Sequence, residues 1–408
     1  MKNVIKDNRK FMIYLSVFSV ILILFNLASR TNSYNATTLA FSYRYGFIPR
    51  GLIGSIYQGL NDILPIDLNC YRAVNNYTLL ITVLFAVCII CFLAFILRNT
   101  TKNNKYVKAL IIFFVICAIP TFAGYYNFGR LDLYMVLLSF LAVVLIVRDK
   151  AIWLVIPISM LNVMIHEGYV FMYFNIILVL LFYKIITGIV SKNKLGVNKY
   201  LVVFIVSFVL VSVIFLYFIL AEPAGQQVYE QIKNVANGMC KNNKCHDDLV
   251  RAEILGVDLT SEEWLYHVQN VIELPIFLVL YCPFIAILVM FLRKLMKACE
   301  SKLHKLKYIA VAIGSFTTLP LFIMKVDYGR WVFAVIAYYV IVIMALMAMK
   351  DEYVIKSFNE TVDEVNEKLH FAIILLPYAM LFSPFTDLAI CKFTYRLYDF
   401  AGMMENFF

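Results

Sequence analysis

From Tyr77 to Leu97 the chain reads YTLLITVLFAVCIICFLAFIL, an unbroken apolar run without a charged side chain. As a helix it is long enough to cross the roughly 30 Å hydrocarbon core of a bilayer. Similar runs recur along the sequence. Inside hydrocarbon a backbone amide finds no water, so each run is expected to satisfy its own amides as a helix. The same feature excludes a soluble fold. With 62% of 408 residues hydrophobic and only 15% charged, a water-facing surface has too little to solvate it. The expected fold class is all-α: a polytopic integral membrane protein, one helical membrane domain over residues 1–408.

About eleven transmembrane helices are expected, at 11–29, 74–97, 107–122, 131–147, 151–165, 168–183, 200–220, 271–292, 308–324, 331–349 and 371–390. The first run, Phe11 to Ala28, has the look of a signal peptide. No small-residue cleavage pattern closes it, and it is read as a helix. The net charge of +10 suggests nucleic acid until it is mapped onto these spans. Alternate connections on one side (1–10, 98–108, 148–150, 184–199, 293–307 and 350–370) then hold roughly two thirds of the 36 lysines and arginines. Short basic connections stay inside, so the amino terminus is expected to be cytoplasmic and the carboxyl terminus outside. The charge is a topology signal, and no nucleic-acid partner is expected.

The largest connection, 221–270, falls on the outer side and reads as helical and polar. It contains CKNNKC, and the Cys240 and Cys245 spacing is compatible with a small loop disulfide on an oxidising side. Five of the nine cysteines (Cys88, Cys91, Cys117, Cys282 and Cys391) lie in apolar runs and act as small hydrophobes. No clustered histidine set suggests a metal. A Walker loop, a dinucleotide fingerprint and a serine elbow are all absent from the sequence. No cofactor and no metal are expected. The inner segment KDEYVIKSFNETVDEVNEKLH reads as a solvated helix or loop.

Most unusual polar residues fall on the outer side. FSYRYGFIPRGLIG carries Arg44 and Arg50, and Pro49 is placed to start a short interfacial helix. NFGRLD carries Arg130 and Asp132. IHEGY carries His166 and Glu167. KVDYGRW carries Asp327 and Arg330. An arginine at a positive helix end is unfavourable unless an anion shares the site. The planar guanidinium suits phosphate, whereas a lone arginine often only snorkels to lipid headgroups. Asp132 and Asp327 either support such a site or simply neutralise their neighbours. Only a short stretch, Ala151 to Tyr183, serves two crossings and the HEG turn. The His166–Glu167 pair is therefore expected below the interface, with burial raising the Glu167 pKa and lowering that of His166. The plainer reading is a satisfied polar turn. Nearby aromatics (Tyr43, Tyr45, Phe47, Tyr125, Tyr126, Tyr328, Trp331) either stack on sugars or form an interfacial belt.

In general plan, and in the character of YRYGFIPRG, NFGRL, HEG and DYGRW, the chain resembles the O-antigen and capsular polysaccharide polymerases of bacteria. It also resembles the related multi-span glycosyltransferases that use polyprenyl-phosphate sugars. Many of the latter carry an acidic residue early in the first outer loop. Here TNSYNATTLAFSYRYG has none, and Asp62 and Asp67 come later. The resemblance implies a bacterial cytoplasmic membrane and a polyprenyl-linked oligosaccharide as substrate, with membrane lipid and other envelope glycan assembly proteins as partners. Arg44, Arg50, Arg130 and Arg330 would bind the (di)phosphate. Glu167 or His166 would take the acceptor proton, with Asp132, Asp327, Tyr45 and Tyr328 in support. A transporter or flippase of the same lipid-linked glycan, a side-branch glycosyltransferase, and a structural or sensory membrane protein are the alternative readings.

The charge asymmetry predicts protease access. A cleavage site inserted after Lys241 is cut from outside in intact spheroplasts, and one inserted after Lys192 is not. The opposite pattern reverses the orientation.

Overall fold

The computed structural model describes residues 31–100, 104–116, 128–257, 273–324 and 328–368. Among the described residues every regular element is helical and there is no strand. The expected spans 11–29 and 371–390, together with Asp327, Tyr125 and Tyr126, lie outside them. A helix occupies each of the other expected spans within the described residues. In chain order the helices are α1 (Ser33–Thr38), α2 (Gly51–Ile63), α3 (Tyr71–Asn99), α4 (Asn104–Ile116), α5 (Asp132–Arg148), α6 (Val155–Ile165), α7 (Tyr169–Met172) and α8 (Phe174–Val190). They continue as α9 (Lys194–Leu220), α10 (Gln226–Met239), α11 (Asp247–Leu255), α12 (Glu273–Ala298), α13 (Lys302–Ile313), α14 (Leu319–Met324), α15 (Tyr328–Ala348) and α16 (Glu352–Lys368).

Among the described residues, four helices are long and apolar enough to cross a membrane: α3, α9, the continuous stretch Lys302–Ile323, and α15. Their surroundings differ. The most apolar window of α15 is 89% buried, against 28% for α3 and 22% for α9. α15 is therefore the central post, touching α3, α5, α8, α12 and α16. α3 and α9 turn apolar side chains such as Ile90 and Val213 outward. So much exposed hydrocarbon on one helix needs a non-aqueous neighbour. This is a helical membrane protein.

Two apolar helices are shorter, Ile152–Ile165 and Phe174–Val190. At 1.5 Å per residue the first spans only about 20 Å, well short of a full crossing. The HEG turn follows directly on this short helix, with His166 as its C-cap. The second helix extends past the expected end at 183 to Val190. A break at Tyr173 separates α7 from α8.

The interfacial helix α2 begins at Gly51, not at Pro49, and Arg50 is its N-cap with φ 60°, in the left-handed region. Side chains pay for that conformation with roughly 1–2 kcal/mol. α2 leaves Ile56, Leu60 and Ile63 exposed while its inner face meets the 39–42 backbone. A Cβ on Gly54 would lie 1.9 Å from the Phe41 carbonyl oxygen, so only glycine permits the approach.

Far from the cavity end of α5, α16 does not lie free in solvent as expected. It packs on α12, with Val354, Phe358 and Val365 buried. Lys294 reaches Glu364 at 2.8 Å and Lys105 reaches Asp363 at 2.6 Å. At its start, the buried Asp351 carboxylate accepts from Tyr183 (2.5 Å), Tyr308 (2.6 Å), Lys307 (3.2 Å) and the Val354 N–H (3.0 Å). Burial alone would raise the Asp351 pKa. The two hydroxyls and Lys307 outweigh it and hold the carboxyl below its usual range. This clamp joins α8, α13 and α16. Removing one partner of a buried ion pair strands the other, at about 3–5 kcal/mol. Asp351→Ala is expected to lose that much in unfolding titrations in detergent, and Asp351→Glu only part of it.

Candidate functional site

Three arginines distant in sequence meet at one end of the bundle. Arg50 arrives from the N-cap of α2, Arg130 from the turn before α5, and Arg330 from the first turn of α15. With Leu131, Asp132 and His166 they line a cleft of about 220 Å³, its opening to solvent included, whose wall is completed by Tyr34, Asn35 and Thr38 around α1. Two local features aim these side chains. Gly129 takes φ +85°, turning the chain so that Arg130 and Asp132 enter together. The Asn35 amide donates to the Phe128 carbonyl at 2.9 Å and ties that turn to α1.

Each arginine faces a carboxylate. Arg330 grips Asp132 with both oxygens, at 3.1 and 3.0 Å from Nη2, and Nε adds a third contact at 3.3 Å. Asp132 is fully buried and Arg330 nearly so. A pair this dry holds its charges only because the fork geometry satisfies both. Arg130 lies 3.8 Å from the same carboxylate and stacks its guanidinium over Tyr34, 5.7 Å from the ring centre. The neutralising role for Asp132 is thus the observed one. Arg50 turns Nη2 to Glu167 Oε1 at 2.6 Å and Nε to the same oxygen at 3.2 Å. It also reaches Glu253 at 3.1 Å, and Nη1 donates to the Tyr34 hydroxyl at 3.2 Å.

The HEG turn carries the acid–histidine pair. His166 Nδ1 accepts from the Gly168 N–H at 2.9 Å and lies 3.3 Å from Glu167 Oε2. Burial lowers the His166 pKa, against the opposing pull of Glu167. The expected rise for Glu167 is overturned. Burial does push its carboxyl up, but Arg50 beside it more than offsets this and holds the group well below its usual range. Near neutrality the turn therefore presents an ionised carboxylate and a neutral imidazole.

Other expected site residues stand apart. Arg44 is 42% exposed, pairs with Asp62 and donates to the Gln58 carbonyl at 3.0 Å. Tyr45 packs on the core without entering the cavity wall. Tyr328 and Trp331 are buried against each other and Phe322, so they offer no face to a sugar. Phe47 stacks on Tyr217 and Phe218. Cys240 and Cys245 are free thiols. The Cys240 thiol lies against Thr37 and the Ser33 carbonyl, and burial pushes its pKa up to about 11.

Sequence reasoning missed Tyr34, Asn35, Thr38 and Glu253. The first three sit in an unremarkable polar segment. Glu253 belongs to a connection whose only visible feature was its cysteines. No signal in the chain pairs it with a residue two hundred positions away. Among the described residues no group of three or more His, Cys, Asp or Glu side chains is placed to hold a metal ion. Comparison with family models, curated proteins and solved structures finds no match for this chain.

The two shifts in the HEG turn act in one direction on stability. A depressed histidine pKa contributes stability above the ordinary value of 6.5, lost as pH falls from there toward the folded value. A depressed glutamate does the same below its ordinary 4.5. Melting temperature is therefore expected to fall as pH drops from 7 to 5, and His166→Gln is expected to flatten that slope. Scanning fluorimetry of both proteins across this range checks it.

Proposed function

We propose that this protein is a membrane glycosyltransferase of the polymerase kind. It joins sugar repeat units carried on polyprenyl diphosphate, at the outer face of the bacterial cytoplasmic membrane, through a bundle of about eleven spans. The observation that carries the reading is the convergence of Arg50, Arg130 and Arg330 with the His166–Glu167 pair on one cavity. The chemistry of glycosyl transfer needs two things there. Negative charge grows on the departing diphosphate, and preorganised guanidinium groups stabilise such charge most when water is excluded. The acceptor hydroxyl must lose a proton as it attacks the anomeric carbon.

His166 is the better base of the pair. It lines the cavity and burial keeps it neutral, whereas Glu167 is committed to Arg50. To act as base, His166 takes the tautomer with the proton on Nδ1, which gives up the Gly168 N–H bond and donates to Glu167 Oε2, 3.3 Å away, leaving the Nε2 lone pair for the acceptor proton; Glu167 then stabilises the imidazolium. Arg44 is not part of this assignment. The diphosphate-binding set is Arg50, Arg130 and Arg330, with Asp132 holding Arg330 in place.

The test is the pool of lipid-linked glycans in cells lacking the protein, complemented with wild type, Arg50→Ala or His166→Gln. Single complete repeat units are expected to accumulate on the outer leaflet without rescue by either variant. A loss of general-base catalysis corresponds to about a 10²–10⁴-fold fall in rate. Truncated units would instead indicate a side-branch transferase, and complete units trapped inside a flippase. An unchanged pool overturns the glycan reading altogether.

A further inference from the structure

Behind the HEG turn the bundle buries polar groups that no protein atom answers. Ser139 stands on α5 within LLSFLA, Asn162 on α6 within SMLNVM, and Tyr169 opens α7. Ser139 is 1% exposed, Asn162 and Tyr169 0%. Ser139, Ser159 and Asn162 gather around the Tyr169 hydroxyl. Yet that hydroxyl, the Ser139 hydroxyl and both amide atoms of Asn162 have no hydrogen-bond partner in the protein. Ser159 donates to the Val155 carbonyl at 2.8 Å, and its oxygen can still accept.

Helix geometry makes these groups one seam. Ser139 lies two helical turns past Asp132 and on the same face of α5, and Asn162 and Ser159 lie one and two turns before His166 on α6. α6 packs against both α5 and α7. The seam therefore starts at the cleft, where Asp132 and His166 stand, and runs into the bundle. The Asn162 carbonyl accepts the His166 N–H at 3.1 Å, so it also adjoins the turn that carries the base. A polar side chain enclosed by apolar helices cannot borrow bulk water, and leaving it without a partner is costly. Several such atoms around one hydroxyl call for a shared partner.

We propose that ordered water sits between Ser139, Ser159, Asn162 and Tyr169 and joins α5, α6 and α7 behind the HEG turn. A buried water makes about three hydrogen bonds to otherwise unanswered groups. Here an amide and three hydroxyls on three helices offer it both donors and acceptors. Bridging suits groups that gather around one point without bonding each other. A cation suits them less well. Among the described residues no charged side chain acts on the Tyr169 hydroxyl, so an ion's charge would go unanswered, whereas water needs no counter-charge. The water seats both ends of the HEG turn, since α6 leads into His166 and α7 starts at Tyr169. It holds the turn whatever substrate the cleft takes, and so stands apart from the glycan reading.

The experiment uses the full chain in nanodiscs and two readouts. Radiolytic footprinting generates hydroxyl radicals from bound water, so it labels a buried side chain only where water touches it. In wild type, Tyr169 is expected to label faster than Tyr57, which is equally buried but gives its hydroxyl to the Leu68 carbonyl. The second readout is the melting temperature of Tyr169→Phe, which removes the hydroxyl and little else. Loss of one anchor of the water is expected to lower it by about 2–4 °C. An unchanged or higher value means that the hydroxyl was buried without a partner, and overturns the proposal. A fall without labelling above Tyr57 means that the side chains bond one another directly, which overturns it equally. Exchanging sodium and potassium for choline is expected to leave wild type unchanged. A drop there that Tyr169→Phe does not share assigns the site to a cation instead of water.

Discussion

Arg50 is where three remote parts of this chain are fastened together. It caps α2 in a backbone conformation that arginine adopts only at a cost, and its guanidinium then reaches Glu167 in the HEG turn and Glu253 on α11. A guanidinium this far from water must be answered by carboxylates, or its desolvation is not recovered. The strained φ and the two ion pairs are therefore one feature. The side chain is held where its partners need it, and the local backbone bears the strain.

The same requirement shapes the rest of the cavity. Three arginines are met by Asp132, Glu167 and Glu253, which leaves the resting site close to electrically neutral. Neutrality does not weaken the case for an anionic substrate, because paired charges inside a low-dielectric site are already preorganised. It does change the division of labour. Arg330 and Asp132 form a dry pair, while Arg50 and Arg130 both reach Tyr34 in the α1 segment. The acid of the HEG turn is paired with Arg50, and the proposed mechanism therefore gives proton transfer to the imidazole.

Rigidity behind the site comes from α15 and the clamp at the other end of the bundle. α15 begins with Arg330 in the cavity wall and ends just before Asp351. Its two ends are thus both pinned by buried charge, one through Asp132 and the other through the Tyr183, Tyr308 and Lys307 contacts of Asp351.

The sequence by itself determined that this is a helical membrane protein, because apolar runs of that length have one way to satisfy their amides in hydrocarbon. It also marked Arg50, Arg130, Asp132, His166, Glu167 and Arg330, since charged residues at the ends of apolar runs stand out against their surroundings. Whether those groups were partners, and in which pairs, only the tertiary structure decided. The Glu167 pKa is the clearest instance. Burial alone argues for a rise, and the sign reverses because Arg50, distant in the chain, lies 2.6 Å away. Arg44 has the same composition around it as Arg50 yet faces Asp62 at the surface. Cys240 and Cys245 have the spacing for a bridge, but α10 turns one thiol toward Thr37. Local pattern reports which residues are costly to place; the pairing that offsets the cost is a contact between distant segments, and packing alone brings those together.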